Sequence, residues 1–191
     1  MNTDINTINK RLDEILEVLS KIKKEQTELI NEVAKTLTET FKSGNKLLIC
    51  GNGGSAADAQ HIAAEFIGKF YKIDRPALPA IALNTNTSII TAIGNDFGYE
   101  MTFSRQVEGL GQKGHVFIAI STSGNSVNAL EAAKLAKEKG MKVISITGEG
   151  GGKLAEVSDI TIKVPSNNTP IIQNAHISIL HIICEIVEYK F

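Results

Sequence analysis

The 191-residue sequence has no tryptophan, two cysteines and almost no net charge, with 20 Lys+Arg against 21 Asp+Glu. Each scarcity excludes something. Two cysteines, Cys50 and Cys184, are too few for a disulfide framework or a cysteine zinc site. Their apolar settings, KLLIC and HIICEIV, read as buried free thiols in a reducing compartment. A formal charge of −1 argues against a strongly basic nucleic-acid binder or polyanion clamp. It leaves room for one small anion held by local donors. No run approaches the about 18 apolar residues of a membrane span, and the opening MNTDINTINKRLDEI has no signal-peptide core. The expectation is a soluble, cytoplasmic, globular protein with no membrane or nucleic-acid partner. Its 42% hydrophobic residues suffice for a single core.

What is present is strongly patterned. Ile5, Ile8, Leu12, Ile15, Leu19 and Ile22 recur at alternating steps of three and four, a heptad-like helical stripe. Ile30, Val33, Leu37 and Phe41 mark a second amphipathic helix, with Gly44 as its stop. Such helices either cover their own domain or pack against another subunit. Beyond Gly44, short β-branched runs at 46–50, 80–83, 116–120, 143–147 and 160–164 are continuously apolar, as strands buried on both faces are. Helical patterns at 56–70, 88–94, 101–110, 126–139 and 153–157 separate or follow them, and a last helix at 171–190 is entered through Pro170. This alternation predicts an α/β fold, a doubly wound five-stranded parallel sheet with right-handed crossovers. One domain over 45–191 carries an N-terminal helical extension over 1–44.

Ligands of such sheets bind beyond the carboxyl ends of the strands, where strand order reverses. Two strand ends here, Cys50-Gly51-Asn52-Gly53-Gly54-Ser55-Ala56 and Ile120-Ser121-Thr122-Ser123-Gly124-Asn125-Ser126, run through Gly, Ser, Thr and Asn into a helix. Backbone N–H groups, hydroxyls and a helix N-terminus all favour a phosphate. Ser55 with Asp58 also reads as a capping box, and Ser126 as a helix cap. The loose G-x-G-x-x-A at Gly51 lacks the acid a dinucleotide needs, since Asn84-Thr85-Asn86-Thr87 follow the next strand. Gly148–Lys153 has the wrong spacing for a P-loop. No nucleotide cofactor is expected, and Gly148–Gly152 reads as a close-approach turn. His61 and Glu65, four apart, share one helix face, and the last helix adds Gln173, His176 and His181 to an Ile-rich pattern. Brought together, His61, Glu65, Gln173 and His181 suit proton transfer near neutral pH or a divalent metal such as zinc.

In GNGGSAADAQH (51–61), IGNDFGYEMTFSRQV (93–107), ISTSGNSVNAL (120–130), KGMKVISITGEGGGKLAEVSD (139–159) and IQNAHISILH (172–181), the chain resembles the sugar isomerase (SIS) domain family, and within it the isomerases of seven-carbon sugar phosphates. The likeness spans nearly the whole chain. It implies the flavodoxin-like SIS fold and conversion of D-sedoheptulose 7-phosphate to D-glycero-D-manno-heptose 7-phosphate through an enediol, the first step toward heptose precursors of bacterial surface glycans such as lipopolysaccharide or capsule. It implies Ser55, Ser121, Thr122, Ser123 and Ser126 around the phosphate, and Asn52, Gly53, Gly54, Asn95 and Asp96 along the sugar, with Glu65 and Gln173 also touching substrate. It implies Glu65 and His181 as the acid/base pair, one zinc per subunit on His61, Glu65, Gln173 and His181, and a homotetramer built through the N-terminal helices. The chain departs from the family in Lys69, where Arg is frequent, and in Ile172 and Asn174 around Gln173. A competing expectation is a non-catalytic SIS-domain tetramer that binds a protein such as a replication initiator; those relatives are expected to lack the Glu65–His181 pair.

Overall fold

The heptad-like stripe folds as one long helix, of which the chain itself covers only part. In the computed structural model, which describes residues 3–191, α1 runs Thr3–Glu25 and α2 Thr27–Lys42. Val18 and Ile22 are buried, and Ile15 and Leu19 pack partly against the core. Ile5, Ile8 and Leu12 stay more than half exposed, at 51–54%. α2 stops where expected: Gly44 takes φ +74° and its N–H closes on the Phe41 carbonyl.

The five apolar runs become β1 (Leu47–Gly51), β2 (Ala80–Ala82), β3 (Val116–Ser121), β4 (Lys142–Thr147) and β5 (Ile160–Lys163). They form one sheet in the order β2-β1-β3-β4-β5, parallel throughout. β1 and β3 are buried along their whole length, the burial their unbroken apolar sequences require. Alternate residues face opposite layers. Leu47 and Ile49 join Leu37, Phe66 and Ile179 on one side; Leu48 and Cys50 join Phe103, Leu130 and Ala133 on the other. The first layer holds α1, α2, α3 (Gly54–Ile67) and α8 (Thr169–Glu188); the second holds α5 (Ser104–Leu110), α6 (Val127–Glu138) and α7 (Gly152–Val157). Strand order reverses between β1 and β3, so both Gly/Ser loops open at the switch point.

Several details differ from expectation, among them α5, which starts at Ser104 and not at Met101. α3 starts at Gly54 and ends at Ile67, not Phe70, because the chain turns at Gly68. Helix α4 (Thr87–Phe97) continues through Gly94 and buries none of its residues. α8 is apolar and long enough to cross a membrane by composition, with mean hydropathy 1.4 over 18 residues, yet half of that window is buried in the fold.

The expected buried thiols are present at Cys50 and Cys184, and desolvation pushes both well above the usual cysteine range. His176 is fully buried on α8. Its Nε2 donates to the Thr147 carbonyl at 3.1 Å, while Nδ1 has no hydrogen-bond partner. Burial lowers its pKa from 6.5 to about 4, against the opposing hydrogen bond to Thr147. Between those values the unfolded chain binds the extra proton, so stability falls as pH falls from about 6.5 to 4 and His176 adds no pH dependence below. A shift of that size corresponds to about 3 kcal/mol. Denaturant titrations over this range should show a slope that His176→Asn flattens; an unchanged slope would contradict the assignment.

Candidate active site

The carboxyl ends of β1 and β3 lie side by side and lead through the two loops into α3 and α6. The capping box expected at Ser55 does not form. The helix starts one residue before it and Gly53, at φ +57°, is the N-cap. Ser55 therefore lies buried in the first turn, and Asp58 keeps a buried Oδ2 without a hydrogen-bond partner. Desolvation raises the Asp58 pKa against the opposing pull of His61. Ser126 does occupy the N-cap position of α6, but its side chain makes no capping bond; its hydroxyl lies 3.0 Å from the Ser121 hydroxyl. A glycine cap and two paired serines leave first-turn N–H groups uncapped by side chains, as an anion site requires.

The second loop is held in shape by the turn at 148–152, which makes the close approach its glycines suggested. The Leu154 N–H donates to the Gly124 carbonyl and the Gly148 N–H to the Thr122 carbonyl, both at 3.0 Å. The Lys153 N–H donates to Asn125 Oδ1 at 3.1 Å. Gly124 has φ +65°, and a Cβ there would lie 2.0 Å from the Gly151 carbonyl oxygen. No other residue fits. Ser121 is buried, Thr122 and Ser126 half-buried and Ser123 exposed, so the hydroxyls line the loop from floor to rim.

About two turns along α3 from the first loop, α3 and α8 bring three side chains together. His61 Nε2 lies 3.1 Å from Glu65 Oε1, and His181 Nε2 lies 3.4 Å from His61 Nε2. The ligating atoms of all three lie within 4.8 Å of one another. Two ring nitrogens and a carboxylate oxygen this close together form a nitrogen–oxygen donor set suited to zinc. Burial lowers the His181 pKa, helped by His61 and opposed by Glu65, which favours the neutral imidazole that can ligate or accept a proton. The Phe70 ring packs at 5.6 Å from that imidazole.

Gln173 is positioned beside Gly54, where a Cβ would lie 2.5 Å from Nε2. It stands eight residues before His181 on α8, about 12 Å along the axis, and no hydrogen bond joins it to the trio. Asn95 and Asp96 sit exposed in the last turn of α4, bonded to each other at 2.7 Å. No hydrogen bond links either to the two loops within this chain.

Sequence reasoning missed several residues. Asn84 Nδ2 donates to the Gly51 carbonyl at 2.6 Å, a contact that the NTNT sequence does not signal. Asn128 and Tyr99 both engage Asn52. Arg75 and Glu188 form a buried ion pair at 2.8 Å, across 113 residues of sequence. Neighbouring sequence carries no signal for such pairs.

The SIS domain family model matches residues 12–148. The chain is 52% identical over 181 residues, 95% of its length and 92% of the relative's, to a phosphoheptose isomerase of Trichlorobacter lovleyi. Among solved structures it is similar to phosphoheptose isomerase GmhA from Neisseria gonorrhoeae, with TM-score 0.92 and 40% identity over 98% of this chain and 100% of that one. It is also similar to a phosphoheptose isomerase from Francisella tularensis, with TM-score 0.95 and 35% identity over 98% and 99%.

Proposed function

The chain belongs to the SIS domain family, and from that premise we infer that it works as a phosphoheptose isomerase, interconverting D-sedoheptulose 7-phosphate and D-glycero-D-manno-heptose 7-phosphate. The observation that carries this reading is the meeting of His61, Glu65 and His181 near two Gly/Ser loops that open at the switch point. The non-catalytic alternative was expected to lack the Glu65–His181 pair; the chain has both residues, and its half-identical relatives are isomerases.

Ser55, Ser121, Thr122, Ser123 and Ser126 hold the remote phosphate, and that binding places the reacting end beside α3 and α8. Asn52, Gly53, Gly54, Asn95, Asp96 and Gln173 contact the sugar. Glu65 and His181 are the acid/base pair: a proton leaves C1, an enediol forms, and a proton is returned to C2. Glu65 Oε1 faces His61, which leaves Oε2 for the proton. His61, Glu65 and His181, with Gln173 as fourth donor, would hold one zinc ion per subunit. When bound, the zinc polarises the carbonyl and stabilises negative charge on oxygen.

The activity belongs at the start of heptose-precursor synthesis for bacterial surface glycans, in the cytoplasm, in a homotetramer. The half-covered stripe of α1 supports the assembly, because Ile5, Ile8 and Leu12 would otherwise stay in water. The paired substitution Ile8→Glu/Leu12→Glu, which leaves the buried Val18 and Ile22 in place, should yield a smaller species by light scattering. An unchanged assembly would remove the stripe from the interface.

A coupled turnover assay with sedoheptulose 7-phosphate tests the function, with shorter ketose phosphates as comparison. Absence of turnover with and without added zinc would overturn it. For the metal, His61→Ala should bind zinc at least about 100-fold more weakly than wild type when both are purified without chelator; equal metal content would refute the assignment.

A further inference from the structure

Asn52, in the first loop, and Asn128, in the first turn of α6, exchange two hydrogen bonds across the switch point. Asn52 Nδ2 donates to Asn128 Oδ1 at 2.8 Å, and Asn128 Nδ2 donates to Asn52 Oδ1 at 3.0 Å. The direction of this exchange is set by the backbone. The Ala129 N–H, which can only donate, meets Asn128 Oδ1 at 2.9 Å, so the oxygen of Asn128 must lie there. Its Nδ2 then faces Asn52 and also reaches Thr102 Oγ1 at 3.3 Å. That hydroxyl has already given its proton to the Tyr99 carbonyl at 2.8 Å, so it can only accept from Asn128. Tyr99 closes the set by donating its phenol hydrogen to Asn52 Oδ1 at 3.1 Å.

A side-chain amide has two donor hydrogens and two acceptor lone pairs. All four are occupied in Asn128, which is also buried and has nothing left for a ligand. In Asn52 both lone pairs and one hydrogen are occupied. One Nδ2 hydrogen remains, on a half-buried residue at the mouth of the loops.

We propose that Asn128 is a positioning residue of the isomerase: through its reciprocal amide pair it holds Asn52 so that a single N–H, never the carbonyl, is presented to an oxygen of the bound sugar phosphate. Tyr99 reinforces the same orientation from the rim. The inference rests on the proposed role of Asn52 as a sugar contact. The pair also ties the loop after β1 to the helix after β3, so the sugar and phosphate contacts keep a constant separation.

The test is a double-mutant cycle in kcat/KM on sedoheptulose 7-phosphate, with folded fraction and unfolding midpoint recorded for each variant. Asn52→Ala is expected to lower kcat/KM about three- to tenfold, the value of one lost hydrogen bond. Asn128→Ala should lower it several-fold in the wild-type background and by less than about twofold in the Asn52→Ala background, because a residue acting only through Asn52 has nothing left to orient. Independent, multiplying losses would overturn the proposal, as would full kcat/KM in folded Asn128→Ala. Normal kcat/KM in Asn52→Ala would instead remove the sugar contact itself, and the proposal with it. If Asn128→Ala does not fold, Tyr99→Phe carries the test, since it removes one exposed hydroxyl. About a threefold loss that vanishes in the Asn52→Ala background supports the proposal, and no loss overturns it.

Discussion

Replacing Glu65 by glutamine is expected to lower kcat about a thousandfold while leaving the protein folded. The amide has the shape of the carboxylate but cannot take a proton from carbon, and a positioned acid or base contributes about 10²–10⁴ in rate, or roughly 4 kcal/mol of barrier at the middle of that range. The structural cost is small by comparison. The Glu65 side chain is half-buried, and its ion-pair partner His61 is 48% exposed; pairs of that kind contribute at most about 1 kcal/mol. Steady-state kinetics beside thermal unfolding separate the two effects. A kcat within tenfold of wild type would show that proton transfer runs elsewhere. His181→Gln should behave alike in kcat, because its imidazole meets the same point from α8.

The second large effect is expected at a distance from the chemistry. Arg75→Met should destabilise the fold by about 3–5 kcal/mol, the range for leaving one member of a buried ion pair uncompensated. Arg75 and Glu188 side chains are each 1% exposed. Glu188 accepts the N–H groups of Phe70, Tyr71 and Lys72 as well as Arg75 Nε. The guanidinium also donates to the carbonyls of Glu65, Phe66 and Pro76. Burial alone would raise the Glu188 pKa, yet the hydrogen bonds from Tyr71, Phe70, Arg75 and Lys72 outweigh it and hold the pKa down at about 2. The stability this carboxylate contributes is therefore complete above its ordinary value of 4.5 and is lost as pH falls toward 2. Urea unfolding of Arg75→Met, and of Arg75→Met/Glu188→Gln, measures the pair. The double variant should recover part of the loss, because no buried charge is left unpaired. A single variant within 1 kcal/mol of wild type would show that the pair is dispensable. Because Arg75 grips the Glu65 carbonyl, the single variant should also lose activity in the protein that remains folded.

The architecture was legible because the local chemistry and the global packing agree. Runs such as KLLIC and VFIAI have one stable use, in strands covered on both faces, and their alternation with helices leaves few topologies. The two loops were legible for the same reason: Gly, Ser and Asn at a strand end followed by a helix is a local arrangement. Capping is not legible in the same way, because the same serine chemistry serves two ends. Ser55 and Ser126 look like caps in sequence, but in the fold one enters the first turn and the other pairs with Ser121.

By itself, the sequence determined the fold class, the placement of the two Gly/Ser loops at the strand ends, and the pairing of His61 with Glu65 on one helix face, all of which follow from short-range periodicity and residue type. Tertiary structure alone decided that His181 meets that pair from 120 residues away, that Asn128 pairs with Asn52, and that Glu188 clamps Arg75 against the Glu65 carbonyl. Those contacts depend on how far each helix slides and turns on the sheet. Close packing of both layers sets that position, and no stretch of neighbouring residues encodes it.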